Sequence, residues 1–186
     1  MESVIFRRAV ATDYAAIVQL NAANFIANLS EAERRDGFLS AQFTMEQTAA
    51  MAEDLGTTVA VVDGQVAGFL CAFRNDFDHG SPVVARMIES YNRLSFQDRL
   101  LNTYQSYAYG PVCINRAYRR KGLLRGLFEE QKKQLAGRFE VGVALIARTN
   151  QHSLDAHIAG LGMTDVGSFE VDGNVFATVA FRVRPE

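Results

Sequence analysis

Hydrophobic and polar positions along the chain change period several times, and each change predicts an element. Residues 3–8 alternate as a strand does. Tyr14, Ile17, Val18, Asn21 and Phe25 then recur at helical spacing, a stripe interrupted by one amide, with Thr12 placed to cap it and Asp13 in its first turn. Ser30-Glu-Ala-Glu33 and Thr44-Met-Glu-Gln47 both have the capping-box form. They predict a short helix ending by Gly37 and a second over 45–55 that stops at Gly56. The connector 37–43 is unusually apolar for a loop, so it either packs down or lines a groove. Asp63-Gly64 between two apolar, β-branched runs predicts a hairpin with a type I′ turn, and Asp172-Gly173 predicts another between 164–171 and 174–183.

The middle of the chain carries the remaining elements. Residues 82–94 look helical, with Val83, Met87 and Leu94 as apolar anchors, and a further short helix is expected over 96–101. Residues 105–114 form the next strand, in which Gly110-Pro111 predicts a bulge or a break in pairing because proline cannot donate to a ladder. A helix with Leu123, Leu124, Leu127, Phe128 and Leu135 on its apolar side follows and ends at Gly137. The nearly unbroken apolar run 141–147 is a strand buried on both faces. Another short helix opens at 150–153 and ends near Gly160-Leu-Gly162. Strand, crossover helix and strand make a βαβ unit, whose strands run parallel. The fold class is therefore α/β, with one domain spanning 1–186. It holds a mixed central sheet of six to seven strands, flanking helices and a helical insertion before the fourth strand.

Composition narrows the function classes. A chain of 186 residues, 48% hydrophobic and 22% charged, is long enough for one substantial core. A net charge of −2 argues against general nucleic-acid or membrane binding, so any basic site is local. The longest apolar runs are strand-length, and the first residues lack a leader's apolar region, which makes the cytoplasm the default location. Cys71 and Cys113 lie in strand-like segments without metal-ligand spacing and read as small buried apolar residues. The insertion 76–103 carries Asp76, Asp78, His79, Arg86, Glu89, Arg93, Asp98 and Arg99, and either shapes a substrate site or is a solvated excursion. Asn21, Asn24 and Asn28 fall near one another on the first helix, as caps and surface groups or as a polar set beside a groove.

One stretch concentrates chemistry. Between 116 and 125 stand Arg116, Arg119, Arg120, Lys121 and Arg125, with no acidic residue. A strand running into a glycine-containing basic turn and then a helix aims unpaired N–H groups and a positive dipole end at one spot, where phosphate fits. The alternative is a solvated charged turn.

The element order and this turn resemble the GCN5-related N-acetyltransferase (GNAT) superfamily. Its pyrophosphate signature, Arg/Gln-x-x-Gly-x-Gly/Ala, reads here Arg119-Arg-Lys-Gly122-Leu-Leu124, with Leu124 in place of the final small residue. The resemblance implies acetyl-CoA, or a related acyl-CoA, as co-substrate and no metal. Its pyrophosphate would lie on the backbone amides of Arg119, Arg120, Lys121, Gly122, Leu123, Leu124 and Arg125. The main chain of Val112, Cys113 and Ile114 would pair with pantetheine and hold the thioester carbonyl, with Gly110-Pro111 splaying that strand from the next.

A second stretch, Asn150-Gln-His-Ser153-Leu-Asp-Ala-His157 followed by Leu161-Gly162-Met163, is similar to the family's segment after the fifth strand. Asn150 and Ser153 would contact the cofactor, cap the helix, or do both. Counting from Asn150, His157 holds the position from which a Tyr or His protonates the departing CoA thiolate. Counting back from Gly162, Ile158 takes that place, and one helical residue is about 100° of rotation. The fourth strand holds no carboxylate; a base role there falls to the polar side chains Tyr107 and Tyr109 or equally to a water chain on backbone carbonyls, and we take Tyr109 with His157 as candidate catalytic residues. The implied function is transfer of an acetyl group to a primary amine, on a small molecule or a peptide, by direct attack. Neither a nucleic acid nor a membrane is implied as partner, and a homodimer is common in the superfamily. The alternatives are a non-catalytic acyl-CoA-binding regulatory module of the same fold and a nucleotide-binding protein; against the latter, no P-loop Lys-Ser/Thr ending is present.

Overall fold

The computed structural model describes residues 3–77 and 80–184, so Asp78 and His79 of the insertion lie outside the described residues. Seven strands form one mixed sheet: β1 Val4–Arg8, β2 Thr57–Val62, β3 Gln65–Arg74, β4 Ser106–Ile114, β5 Val141–Ala147, β6 Thr164–Val171 and β7 Asn174–Arg182. Their order is β1-β2-β3-β4-β5-β7-β6, antiparallel throughout except for the parallel pair β4–β5. The helices are α1 Tyr14–Ala23, α2 Glu31–Arg34, α3 Met45–Asp54, α4 Pro82–Ser90, α5 Leu123–Leu135 and α6 Gln151–Asp155, the last continuing through a π-helical turn at Ala156–Gly160. Ile17 and Leu20 of α1, Met51 of α3 and Met87 of α4 bury one face of the sheet. Leu123, Leu127, Phe128 and Leu135 of α5, with Leu154 of α6, bury the other.

Local chemistry accounts for most of the boundaries. Ser30 and Thr44 close reciprocal capping boxes with Glu33 and Gln47. Both Asp-Gly turns place their two residues at positive φ, +47° and +83° for Asp63 and Gly64, +50° and +76° for Asp172 and Gly173, as a type I′ hairpin requires. Gly126 is needed for a different reason. A Cβ there would lie 2.0 Å from the Phe6 ring, so α5 approaches β1 only because the side chain is absent.

Two expectations are corrected. Thr12 is not a cap but lies within a 3-10 turn, Ala11–Asp13, and the Asp13 carboxylate reaches back to accept the Val10 N–H at 2.8 Å while pairing with Arg7 at 2.6 Å. Residues 96–101 form no helix. Ser95–Phe96 and Arg99–Leu100 make a two-stranded ladder with Gln97 at φ +53°, followed by a 3-10 turn, Leu101–Thr103. A helix would place Phe96 and Leu100 on one face; in the ladder Phe96 is buried at 5% exposure and Leu100 is left at 39%.

The irregularity in β4 positions the site. Leu70 of β3 opposes Val112, but Ala72 opposes Tyr109, so one extra residue is accommodated at Gly110-Pro111, with Gly110 at φ +98°. Cys71 is left without a β4 partner, and the buried side chain of Gln131 on α5 compensates. Its Nε2 donates to the carbonyls of Leu70 at 3.3 Å and Cys71 at 3.1 Å, while its Oε1 accepts the Tyr107 hydroxyl at 3.2 Å. On its other edge β4 pairs with β5 only from Ser106–Val141 to Ala108–Val143, and beyond that point the two strands part as a fork.

Candidate active site

At the mouth of the fork stands the N-terminus of α5. Gly122 is its first boundary residue, at φ +83°, and a Cβ there would meet nothing within 4 Å, so conformation and not space asks for glycine. No side chain caps this helix, which leaves first-turn N–H groups and the positive dipole end open to a cavity of 570 Å³. Val112, Cys113 and Ile114 line one wall of that cavity and Asn150, Ser153 and His157 another. Leu123 packs into the core against the sheet and still borders the cavity, which the half-buried Leu124 lines with Arg120, Gly122 and Arg125.

The five basic residues divide by task. Arg116 pairs with Glu33 at 2.7 Å. Arg119 is a clamp: it donates to Asn24 Oδ1 at 2.9 Å, to the Asp36 carbonyl at 2.7 Å and to the Ile114 carbonyl at 3.1 Å. It thereby ties the end of β4 to α1 and to the segment after α2, and its side chain is committed to protein acceptors. Arg120 is exposed at φ +62°, Lys121 lies 5.2 Å over the Tyr118 ring, and Arg125 donates to the Gly160 carbonyl.

Asparagines hold the apolar connector 37–43 against this site. Asn150 Oδ1 accepts the Ser153 N–H at 3.2 Å, capping α6, and its Nδ2 donates to the Phe38 carbonyl at 3.2 Å. Asn21 Oδ1 accepts the Phe43 N–H at 2.9 Å and its Nδ2 donates to the Ala41 carbonyl at 3.0 Å. The connector thus does both things its composition allows: Leu39 is buried, and Phe38 and Leu39 line the cavity. Asn24 lines it too, whereas Asn28 turns back to the Ala22 carbonyl at the helix end. Cys113 Sγ lies 3.9 Å from the Leu20 carbonyl, and burial pushes its thiol up to about 12, which leaves it protonated and unreactive.

His157 and Tyr109 meet where the fork opens. His157 is 4% exposed, and its Nδ1 is 2.7 Å from the Ser153 carbonyl and 3.3 Å from Ser153 Oγ. A carbonyl only accepts, so Nδ1 carries the proton. Nε2 then presents a lone pair, which accepts the Tyr109 hydroxyl at 3.3 Å. Burial lowers the His157 pKa below its ordinary 6.5, opposed in part by the Ser153 carbonyl, and burial raises that of Tyr109. A neutral imidazole beside a protonated phenol results. The π-helical turn explains why counting from Asn150 and from Gly162 differs by one residue. The wide turn adds that residue, so His157 lines the cavity while Ile158 packs against the core beneath.

A second cavity, 190 Å³, lies on the far side of the fork and shares Phe38, Leu39, Val112, Asn150, Ser153 and His157 with the first. Sequence reasoning did not foresee Met87 or Phe176 on its walls: Met87 reads as an apolar anchor of its helix, and only the apolar connector and the insertion signalled a groove.

A seven-stranded sheet forked between its fourth and fifth strands, with an uncapped helix N-terminus at the fork, is the GNAT fold. Solved structures share it over nearly their whole length. A ribosomal-protein-alanine N-acetyltransferase from Brucella melitensis superposes with a TM-score of 0.63 at 16% identity, covering 96% of this chain and 99% of that one. An acetyltransferase of the GNAT family from Streptococcus pneumoniae gives 0.60 at 17% identity, with 97% and 99% covered. A Salmonella typhimurium protein solved with its cofactor acetyl-CoA gives 0.61 at 17% identity, with 99% and 96% covered. No protein-family model matches the sequence, and no curated protein matches it. Among the described residues, no helix is long and apolar enough to cross a membrane, and no three His, Cys, Asp or Glu side chains gather as a metal site.

Proposed function

We propose that this protein transfers an acetyl group from acetyl-CoA to a primary amine. The observation that carries the reading is the fork. It joins a cavity at an uncapped helix N-terminus to a second cavity, and a hydrogen-bonded Tyr109–His157 pair stands at the junction. The residues present suit the cofactor. Backbone N–H groups of Gly122, Leu123, Leu124 and Arg125, at the uncapped start of α5, would meet a bound pyrophosphate, with the exposed Arg120 adding charge. Because Leu124 occupies cavity wall, the anion's contacts there rest on N–H groups and the dipole. Past Ala108, the β4 edge at Val112, Cys113 and Ile114 has no β5 partner, which leaves main chain for a pantetheine arm. Acetyl-CoA, when bound, supplies an activated thioester, and its aminolysis makes one C–N bond, breaks one C–S bond and moves one proton from nitrogen to sulfur.

Moving that proton falls to the pair. His157 begins with a lone pair at Nε2, not with a proton to give. We therefore assign it the acceptor role first: Tyr109 passes its hydroxyl proton to Nε2 while taking one from the amine. The Ser153 carbonyl stabilises the imidazolium, which then holds the proton due to the leaving thiol. Positioning contributes the rest of the acceleration, through the fork that aligns amine and thioester. No acyl-enzyme is needed.

Titration calorimetry with acetyl-CoA, followed by thiol release across an amine panel, tests the reading. Saturable binding that Gly122→Val abolishes, together with amine-dependent thiol release, is the expected result. No binding at millimolar acetyl-CoA overturns it, and binding without release for any amine leaves an acyl-CoA-binding module.

A further inference from the structure

The second cavity points to a class of acceptor. Its walls are Phe38 of the connector, Phe73 of β3, Val84 and Met87 of α4, Leu145 of β5 and Phe176 of β7. Among the described residues lining it, none carries a formal charge when His157 is neutral. The polar groups there are already engaged where they are most buried. Asn150 is used at both ends of its amide, His157 Nδ1 is held by the Ser153 carbonyl, and the Tyr109 hydroxyl is on Nε2. An ammonium remote from the reacting nitrogen, or a carboxylate, would therefore enter without a counter-charge, and burying an unpaired charge is strongly unfavourable. The cavity's 190 Å³ also falls below the ~300 Å³ at which sites for drug-sized ligands begin.

We propose that the acceptor is a small primary amine with an apolar aliphatic or aromatic body and no second charge. The proposal rests on the acetyl-transfer reading above. Three phenylalanine rings and Met87 surround the body, while the amine nitrogen faces Tyr109 and His157 at the junction. A cavity whose described walls carry no charge favours the free-base form of the amine, the form whose nitrogen lone pair attacks. Helix α4 is thus a specificity element, since the insertion supplies Val84 and Met87 to the wall opposite the connector.

The test compares 2-phenylethylamine and 3-methylbutylamine with spermidine and an alanyl tripeptide. With saturating acetyl-CoA, kcat/KM for the two apolar amines should exceed that for the other two by about 100-fold or more, since the latter leave a charge or peptide group unpaired. Val84→Asp should raise KM for 2-phenylethylamine and leave acetyl-CoA affinity unchanged; Val84→Thr, a milder change, should act in the same direction if the first variant fails to fold. Saturation-transfer NMR on the cofactor-free protein gives a readout without turnover, with signal for 2-phenylethylamine and none for spermidine. Preference for spermidine or the tripeptide, with acetyl-CoA binding intact, overturns the acceptor class and spares the acetyl-transfer reading. Acetylation of no amine in the panel also overturns the class. Failure to bind acetyl-CoA overturns both.

Discussion

At the scale of single residues, His157 is the position where environment decides chemistry. Its ring is buried, its Nδ1 proton is committed to Ser153, and its pKa lies below the ordinary 6.5. The acid limb of kcat/KM is therefore expected below pH 6.5, and a pH–rate profile checks it. His157→Phe should lower kcat by about 10²–10⁴-fold, the usual range for general acid–base groups, while calorimetry shows unchanged acetyl-CoA affinity. Tyr109→Phe keeps the edge contacts to Phe128 and Phe181 but removes the hydroxyl, and should lower kcat without shifting the melting temperature much. The same lowered pKa has a stability consequence with a definite sign. Below pH 6.5 the unfolded chain takes up a proton that the folded ring resists, so the unfolded state binds more protons and stability falls as pH falls from 6.5 toward the folded pKa. Above 6.5 the ring is neutral in both states and contributes no slope. Denaturant midpoints measured from pH 7.5 to 5 should show this loss, and His157→Phe should flatten it.

At the scale of elements, α5 does two jobs, and different residues carry them. Its N-terminus depends on Gly122, so Gly122→Val should cost about 1–2 kcal/mol through left-handed strain and abolish acetyl-CoA binding. Its middle depends on Gln131, which satisfies two β3 carbonyls and one hydroxyl at the β4 bulge. Gln131→Leu leaves those three groups buried and unpaired, at about 1–3 kcal/mol each, and should lower Tm by about 6 °C or more, read by a thermal melt. Much of this level was legible in the sequence because it is set locally. Capping boxes, Asp-Gly turns and the Gly110-Pro111 irregularity each act within a few residues of themselves. The ladder at 95–100 was not legible, because short apolar runs have no decisive period. The π-helical turn was visible only as two counts that disagreed by one residue. The clamp role of Arg119 and the second cavity were hidden for another reason: Asn24, Asp36 and Ile114 meet Arg119, and Phe38, Met87 and Phe176 come to line one cavity, only through the tertiary fold.

At the scale of the whole molecule, the sheet is two halves joined through a short seam. β1 to β4 form one half and β5, β7 and β6 the other, paired across the seam only between 106–108 and 141–143. Side chains add further ties to this frame, among them Arg119, which binds the β4 end to α1, and Asn150, which binds α6 to the connector. A ligand seated in the fork touches β4, α5, α6 and the connector at once, so it binds the folded state and has no equivalent site on the unfolded chain. At a hundred times its Kd, acetyl-CoA should therefore add about 2.7 kcal/mol, which for a chain of this size is a rise in Tm of about 5–11 °C. The anionic half of that stabilisation is expected to depend on salt. The chain is net −2, so attraction for phosphate comes only from the local turn and the α5 dipole. At 1 M salt the Debye length contracts to about 3 Å from about 10 Å at 0.1 M, which weakens that attraction wherever it is solvent-exposed. Differential scanning fluorimetry at both salt concentrations should show a smaller shift with acetyl-CoA at 1 M, while pantetheine, which carries no phosphate, gives a shift that salt does not reduce. Equal acetyl-CoA shifts at the two concentrations would mean that the basic turn is not where its phosphates sit.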